Sequence, residues 1–167
     1  MNSINRNQYH KLVDFIIENQ NHFYRFAFSY VKNPEDALDI VQNAVCKALE
    51  HHASLKNEDA VRTWFYRILT NECLAFLNQK KKLLLLGDKE QAEIPYEEKG
   101  YDTPDDFSKQ LDLLDQDVGQ IIRLRFFEEM SLKEIADIMN LNLNTVKAKL
   151  YRGLKSLKIV LQNEEAL

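Results

Sequence analysis

An all-α fold of two small helical bodies is what this sequence predicts, and three observations carry it. Only four Gly and three Pro occur in 167 residues, which argues for mostly helical structure. Apolar residues recur at steps of three and four along most of the chain, the helical period. An acidic, irregular stretch from Gly87 to Asp102, punctuated by Gly87, Pro95 and Gly100, interrupts that period and reads as a linker. The expected division is therefore residues 1–82, a linker at 83–103, and residues 104–167. Each body is close to the lower size limit for a self-sufficient core.

Residues 7–31 read as one amphipathic helix on Leu12, Phe15, Ile16, Phe23, Phe26, Ala27 and Tyr30. Asn33 and Pro34 then provide an N-cap and an N1 proline for a helix over about 34–51, with Glu35 and Asp36 complementing its dipole. Its small and branched apolar residues (Ala37, Leu38, Val41, Ala44, Val45, Ala48, Leu49) permit close packing, and its polar side shows Asp39, Gln42, Asn43 and Lys47. That side is either merely solvated or a docking surface. His51 to Leu55 has no helical stripe and reads as a loop. A third helix, about 58–81, carries Val61, Trp64, Phe65, Ile68, Leu69, Cys73, Phe76 and Leu77 and ends in Lys80-Lys81-Lys82. Along it Arg62, Trp64, Tyr66, Arg67 and Asn71 mix cations, aromatics and an amide. Such a mixture suits single-stranded nucleic acid, where bases stack on aromatics for roughly 1–3 kcal/mol each, but a lone Trp on a helix is equally a core residue. Leu83 to Leu86 is expected to cap this helix.

The linker, 83–103, spans at most ~70 Å when extended, about the length of twenty base pairs of duplex. Thr103-Pro104-Asp105-Asp106 opens the second body with another cap, N1 proline and early acids. Leu111, Leu113 and Leu114, then Val118, Ile121, Ile122, Leu124, Arg125 and Phe126, supply supporting helices. The most informative stretch is Ser131 to Lys158, two helices joined by a tight turn. Ser131 and Glu134 have the spacing of a capping box, and Leu132, Ile135, Ala136 and Met139 share one face. Asn140-Leu141-Asn142 makes the turn and a new N-cap. Leu143, Val146, Leu150, Leu154, Leu157 and Leu161 form the apolar stripe of the second helix, while Lys147, Lys149, Arg152, Lys155 and Lys158 give it a basic face. No acid falls between Asp137 and Glu164. This is a helix-turn-helix whose second helix suits DNA phosphates and base edges.

A net charge of −4 does not oppose that reading, because the charge is unevenly spread. Residues 1–82 hold 11 basic against 9 acidic side chains, residues 83–110 hold 3 against 8, and residues 111–167 hold 8 against 9. Two near-neutral modules flank an acidic middle, and a phosphate feels only the patch within a Debye length of roughly 8–10 Å. Cys46 and Cys73 form no CxxC and are expected to be reduced core thiols. No apolar run reaches the ~20 residues of a membrane span and no signal-peptide segment opens the chain, so a cytoplasmic protein without membrane insertion is expected.

Taken together, FSYVKNPEDALDIVQNAVCKAL, WFYRILTNECLAFL, the acidic linker and RLRFFEEMSLKEIADIMNLNLNTVKAKLYRGLKSL resemble a bacterial RNA polymerase sigma factor of the extracytoplasmic-function (ECF) type, over roughly residues 9–82 and 107–161. The pairing of the blocks in this order is distinctive, whereas the helix-turn-helix alone occurs in many regulators. The resemblance implies that residues 1–82 are sigma region two and residues 104–167 sigma region four. It implies a docking surface for the β′ clamp helices of core polymerase at Asp39, Ile40 and Gln42, with Asp36 and Asn43 beside them. It implies that His51 to Lys56, including His52 and Ser54, holds a base flipped out of the minus-ten element. Asn71, with Arg62, Trp64 and Arg67 of the same helix, is implied to face the non-template strand of the melted element. Asn144, Thr145, Lys147, Ala148, Tyr151 and Arg152 are implied to enter the major groove of the minus-thirty-five element, with Lys149 and Lys155 supporting them. Where the family often carries an acid and an arginine, this chain has Ala75 and Asn78, so the cation supply is expected at Lys80, Lys81 and Lys82. The implied partners are core RNA polymerase (β′ clamp helices and β flap), promoter DNA in double- and single-stranded form, and an anti-sigma factor. No cofactor, metal or catalytic step is implied.

Two other classes compete. An autonomous helix-turn-helix regulator would dimerise and bind a palindrome without polymerase, but no zipper or self-pairing helix stands out. An enzyme or metal protein would have to use His10, His22, His51 and His52, which share no ligand spacing with the cysteines, and no phosphate loop or nucleophile motif is present. A protein-binding adaptor would leave the lysine face idle.

Overall fold

The computed structural model describes residues 3–87 and 105–165, and among them every regular element is helical. The chain divides into two compact units, Met1–Lys99 and Gly100–Leu167.

The first unit contains α1 (Ser3–Glu18), α2 (Gln20–Val31), α3 (Pro34–Glu50) and α4 (Val61–Leu85). The single helix expected over 7–31 is thus two. The break falls at Asn19, whose side-chain amide donates to the Phe15 carbonyl at 2.8 Å. The Asn19 backbone N–H bonds the same carbonyl at 3.2 Å, so the amide shares that acceptor with the helix ladder, and local side-chain bonds of this kind compete with helix continuation. The α3 start follows the sequence: Asn33 accepts a hydrogen bond from the Asp36 backbone N–H at 3.0 Å, with Pro34 at N1. The N-cap oxygen satisfies one of the donors that a helix start leaves open. Lys32 closes α2 in the left-handed conformation (φ 53°), and its N–H bonds Phe28 O at 2.8 Å.

The core of this unit is aromatic. Phe23 stacks on Phe65 with ring centroids 4.3 Å apart, and Tyr66 stands edge-on to Phe23 and Phe26 at 5.6 and 5.5 Å. These are the offset and T-shaped geometries that ring quadrupoles favour. Ala37, Ala44 and Ala48 are fully buried on α3, and their lack of bulk lets α3 lie close to α2 and α4. Between α3 and α4 the chain makes two 3₁₀ turns, His52–Ser54 and Glu58–Ala60, so α4 starts at Val61 and not at residue 58. Lys11 of α1 pairs with Glu58, which raises the lysine above its ordinary value through their hydrogen bond. Leu83 to Leu85 belong to α4 itself, which runs on through Leu85, and Leu86 is its C-cap residue with its N–H on Lys82 O at 3.2 Å; all four side chains are exposed, so they form no packed apolar cap. Cys73 is buried as expected, but Cys46 is exposed, because the inward positions of α3 are taken by Ile40, Ala44 and Ala48.

The second unit contains α5 (Asp105–Asp112), α6 (Gln116–Phe126), α7 (Leu132–Met139) and α8 (Leu143–Glu165). The cap expected at Thr103 and Pro104, and most of the linker, lie outside the described residues. Leu111, Val118, Ile122 and Leu157 form a buried cluster with Phe107, Leu114, Phe127 and Leu150 packed against it. Buried Arg123 of α6 donates to Asp112 at 2.9 Å and ties α6 to the end of α5. Of the residues read as supporting this core, Leu113 and Phe126 are exposed; at each helix end the next residue, Leu114 or Phe127, packs against the cluster instead.

Candidate nucleic-acid interface

The helix-turn-helix is assembled by local hydrogen bonds. Arg125 Nη1 donates to Met130 O at 2.9 Å across the loop before α7, where Glu129 adopts φ 52°. Ser131 Oγ then accepts from Glu134 N at 3.1 Å, and Glu134 Oε1 accepts from Ser131 N at 3.0 Å. Both halves of the capping box are present, so two N–H groups at the start of α7 are satisfied. At the other end Asn140 takes the left-handed conformation (φ 53°). That lets the Leu141 N–H reach Ala136 O at 3.0 Å, the closure by which a left-handed residue ends a helix. Asn142 starts α8: its Oδ1 accepts from Asn144 N at 2.9 Å and its carbonyl from Val146 N at 3.1 Å.

The inner face of α8 is not quite the leucine stripe. Val146 and Leu157 are buried, but Leu143 and Leu154 are 37% and 40% exposed. Between Val146 and Leu157, Leu150 packs against the core cluster, and the buried position falls to Gly153, where α8 meets Val118 and Ile122 of α6. Sequence periodicity could not find it, because a glycine adds nothing to an apolar pattern. The outward face carries Asn144, Lys147, Ala148, Tyr151, Arg152 and Lys155, all exposed, with the Tyr151 side 72% open. Thr145 is half-buried at its edge. Lys149 departs from the group: it is turned toward α6, and its ammonium lies 3.2 Å from Asp117 Oδ2.

In the first unit Asp39, Gln42 and Asn43 are exposed on one side of α3, with Asp36 half-buried at its start. Ile40 is only 2% exposed and cannot touch a partner. It belongs to the core beneath that surface, where α3 meets its neighbours through Ala37, Ile40 and Ala44. Cys46 lies one turn beyond Gln42 on the exposed side, and neighbouring Lys47 is tied to Glu72 of α4.

The segment before α4 is anchored, not loose. Leu55 is buried, and His52 is held with Nδ1 2.8 Å from Leu49 O and its ring edge-on to Tyr9 at 5.2 Å. His51, Ser54 and Lys56 are exposed around that anchor. On α4, Arg67, Asn71, Ala75 and Asn78 follow one another along an exposed line that leads to Lys81 and Lys82. Arg62, Trp64 and Lys80 are half-buried. Tyr66, read as part of the mixed aromatic and cationic surface, is 2% exposed and packs in the aromatic core, so it offers no face to a base. Among the described residues, no helix is long and apolar enough to cross a membrane.

Comparison with known proteins places both units. Residues 15–83 match the family model for sigma-70 region 2, and residues 105–157 match that for sigma-70, region 4. The chain is 41% identical over 154 residues to RNA polymerase sigma factor SigV of Bacillus subtilis (strain 168), covering 92% of this chain and 93% of that protein. It is 29% identical over 133 residues to the ECF RNA polymerase sigma-E factor of Haemophilus influenzae, 71% of this chain and 70% of the relative. Among solved structures it is similar to the sigma factor RpoE of Bartonella quintana, in complex with the anti-sigma factor NepR. That likeness has a TM-score of 0.68 and 25% identity, over 89% of this chain and 97% of the other. It shares its fold with CnrH, solved in complex with the cytosolic domain of CnrY, at a TM-score of 0.69 and 19% identity, over 91% of this chain and 88% of that one. With a region 2 helical bundle, a region 4 helix-turn-helix and a relative this similar along nearly its full length, the chain belongs to the sigma-70 family as a bacterial RNA polymerase sigma factor of the extracytoplasmic-function type.

Proposed function

We propose the following division of labour for this sigma factor, which catalyses no bond change and acts in transcription initiation. The exposed side of α3, formed by Asp39, Gln42 and Asn43 with Asp36 at its edge, docks on the β′ clamp helices of core polymerase. The anchored segment with His51, Ser54 and Lys56, and the α4 line of Arg67, Asn71, Lys81 and Lys82, hold the melted minus-ten strand, with Arg62 and Trp64 at the margin and His52 bracing the segment. The outward face of α8 reads the minus-thirty-five duplex through Asn144, Thr145, Lys147, Ala148, Tyr151, Arg152 and Lys155, while this unit rests on the β flap. The working domains are residues 1–82 and 104–167, with 83–103 as tether.

The observation that carries this reading is the capped helix-turn-helix presenting a cationic face that no acid of α8 interrupts. Each base-edge contact is worth about 1–3 kcal/mol, and one such module buries only ~600–1,000 Å² on DNA. Affinity must come from a second module on the same scaffold, through effective concentration. Bases that leave the stack find the α4 surface, and that binding favours the melted state. A relative of this fold solved with an anti-sigma factor supports an anti-sigma partner here, and a sigma factor's place beside polymerase supports a cytoplasmic location. Reconstitution with bacterial core polymerase, followed by mapping of transcript starts, tests the proposal. A shared pair of upstream elements is expected; a chain that ignores polymerase yet binds a symmetric duplex tightly would overturn it.

A further inference from the structure

Lys149 sits among the cations of α8 in the sequence, but its surroundings set it apart. It lies between Val146, fully buried, and Gly153, which meets Val118 and Ile122 of α6. Its stem therefore runs along the α6 side of the helix. Its ammonium ends 3.2 Å from the carboxylate of Asp117 in the first turn of α6, with the lysine side chain 25% and the aspartate 54% exposed. Among the ion pairs of the described residues, none includes Lys147, Arg152 or Lys155 of the same helix.

We propose that Asp117 withholds Lys149 from DNA, acting as a built-in substitute for a phosphate at the edge of the recognition helix. This rests on the reading of α8 as the duplex-contacting helix. A lysine that neutralises a phosphate releases a counterion, and the salt dependence of binding counts such lysines. A lysine already paired with a carboxylate adds almost nothing to that count, since the pair is neutral. A phosphate that approached Lys149 would also meet the exposed Asp117 charge, and like charges at an interface oppose binding. The consequence is a lower affinity for all sequences alike, with base-edge discrimination left to the rest of the face. The pair thus limits how long the chain is held by DNA that is not a promoter.

The test is a salt series of binding between the full chain and a fluorescently labelled duplex of unrelated sequence, read by anisotropy, with circular dichroism to confirm that each variant is folded. Lys149→Ala is expected to leave the slope of log K against log salt unchanged. Asp117→Asn is expected to steepen it by about 0.9, the increment for one further phosphate contact. The double variant Asp117→Asn, Lys149→Ala is expected to return to the parental slope. A Lys149→Ala variant flatter by about 0.9 in the parental background overturns the proposal, as does an unchanged slope in Asp117→Asn. A double variant that keeps the steep slope also overturns it, because the gain would then come from lost negative charge in general. Lys155→Ala separates this inference from the reading beneath it. If Lys155→Ala and Arg152→Ala both leave the slope unmoved, α8 is not the duplex-contacting helix and both fall.

Discussion

Gly153→Ala is the change on which the packing of the recognition helix can be judged. In an exposed helix interior, replacing Gly by Ala stabilises by about 1 kcal/mol through backbone propensity. Here the added methyl would lie 2.4 Å from Val118 Cγ1 and 3.0 Å from Ile122 Cδ1. Carbon atoms are at optimal separation near 3.5–4.0 Å. The Ile122 terminus can turn to another rotamer, but Val118 cannot: a β-branched side chain in a helix has one strongly preferred χ1. So α8 must move off α6. Overpacking of this kind costs typically 1–3 kcal/mol, and a 2.4 Å approach belongs in the upper part of that range, about 2–3 kcal/mol; against the propensity gain we expect a net loss of about 1–2 kcal/mol in the second unit. The one tryptophan, Trp64, lies in the first unit, so its fluorescence would miss the event. Amide hydrogen exchange on α6 and α8 would not: a loss of that size speeds opening by roughly 5–30-fold. Pairing the change with Val118→Ala should recover part of the loss, with a coupling energy of about 1–3 kcal/mol in the favourable sense. A single variant that is more stable by about 1 kcal/mol, with no coupling to Val118, would show that close approach at Gly153 does not set the position of α8.

Other outcomes follow from the same geometry. Ser131→Ala removes one half of the capping box and should destabilise the second unit by about 1 kcal/mol, seen as faster exchange at the α7 start; equal protection would remove the capping box from the explanation of the turn. Ile40→Ala and Asp39→Ala should separate support from surface. The first should cost 2–5 kcal/mol as a core truncation and melt the Trp64 signal early. The second should stay within about 0.5 kcal/mol yet lower retention on polymerase core in a pull-down, and equal retention would count against the α3 docking face. Arg152→Ala should weaken upstream-element recognition by about 1–3 kcal/mol in run-off transcription while binding to core polymerase survives; unchanged promoter selectivity would exclude that arginine from base contact.

Features whose partners lie within about a helical turn are legible from residue order alone. The Asn33 cap, the Ser131–Glu134 box and the Asn140 to Asn142 turn are closed by hydrogen bonds between residues two to five apart. Residue type at a short spacing is therefore sufficient to read them. The outward cations of α8 were legible for the same reason, as the complement of an apolar stripe. Tertiary structure decided what each helix turns toward its neighbour. Periodicity marks an apolar side only to within part of a turn, and the shape of the facing helix fixes the rest. Val118 and Ile122 select Gly153, not Leu154, as the contact; the depth of α3 against its neighbours takes Ile40 out of reach and leaves Cys46 in the open. Asp117 and Lys149 are 32 residues apart, and no local rule could have joined them. Short-range hydrogen bonding is written in the order of residues, whereas helix facing is settled only when two surfaces of given volume meet.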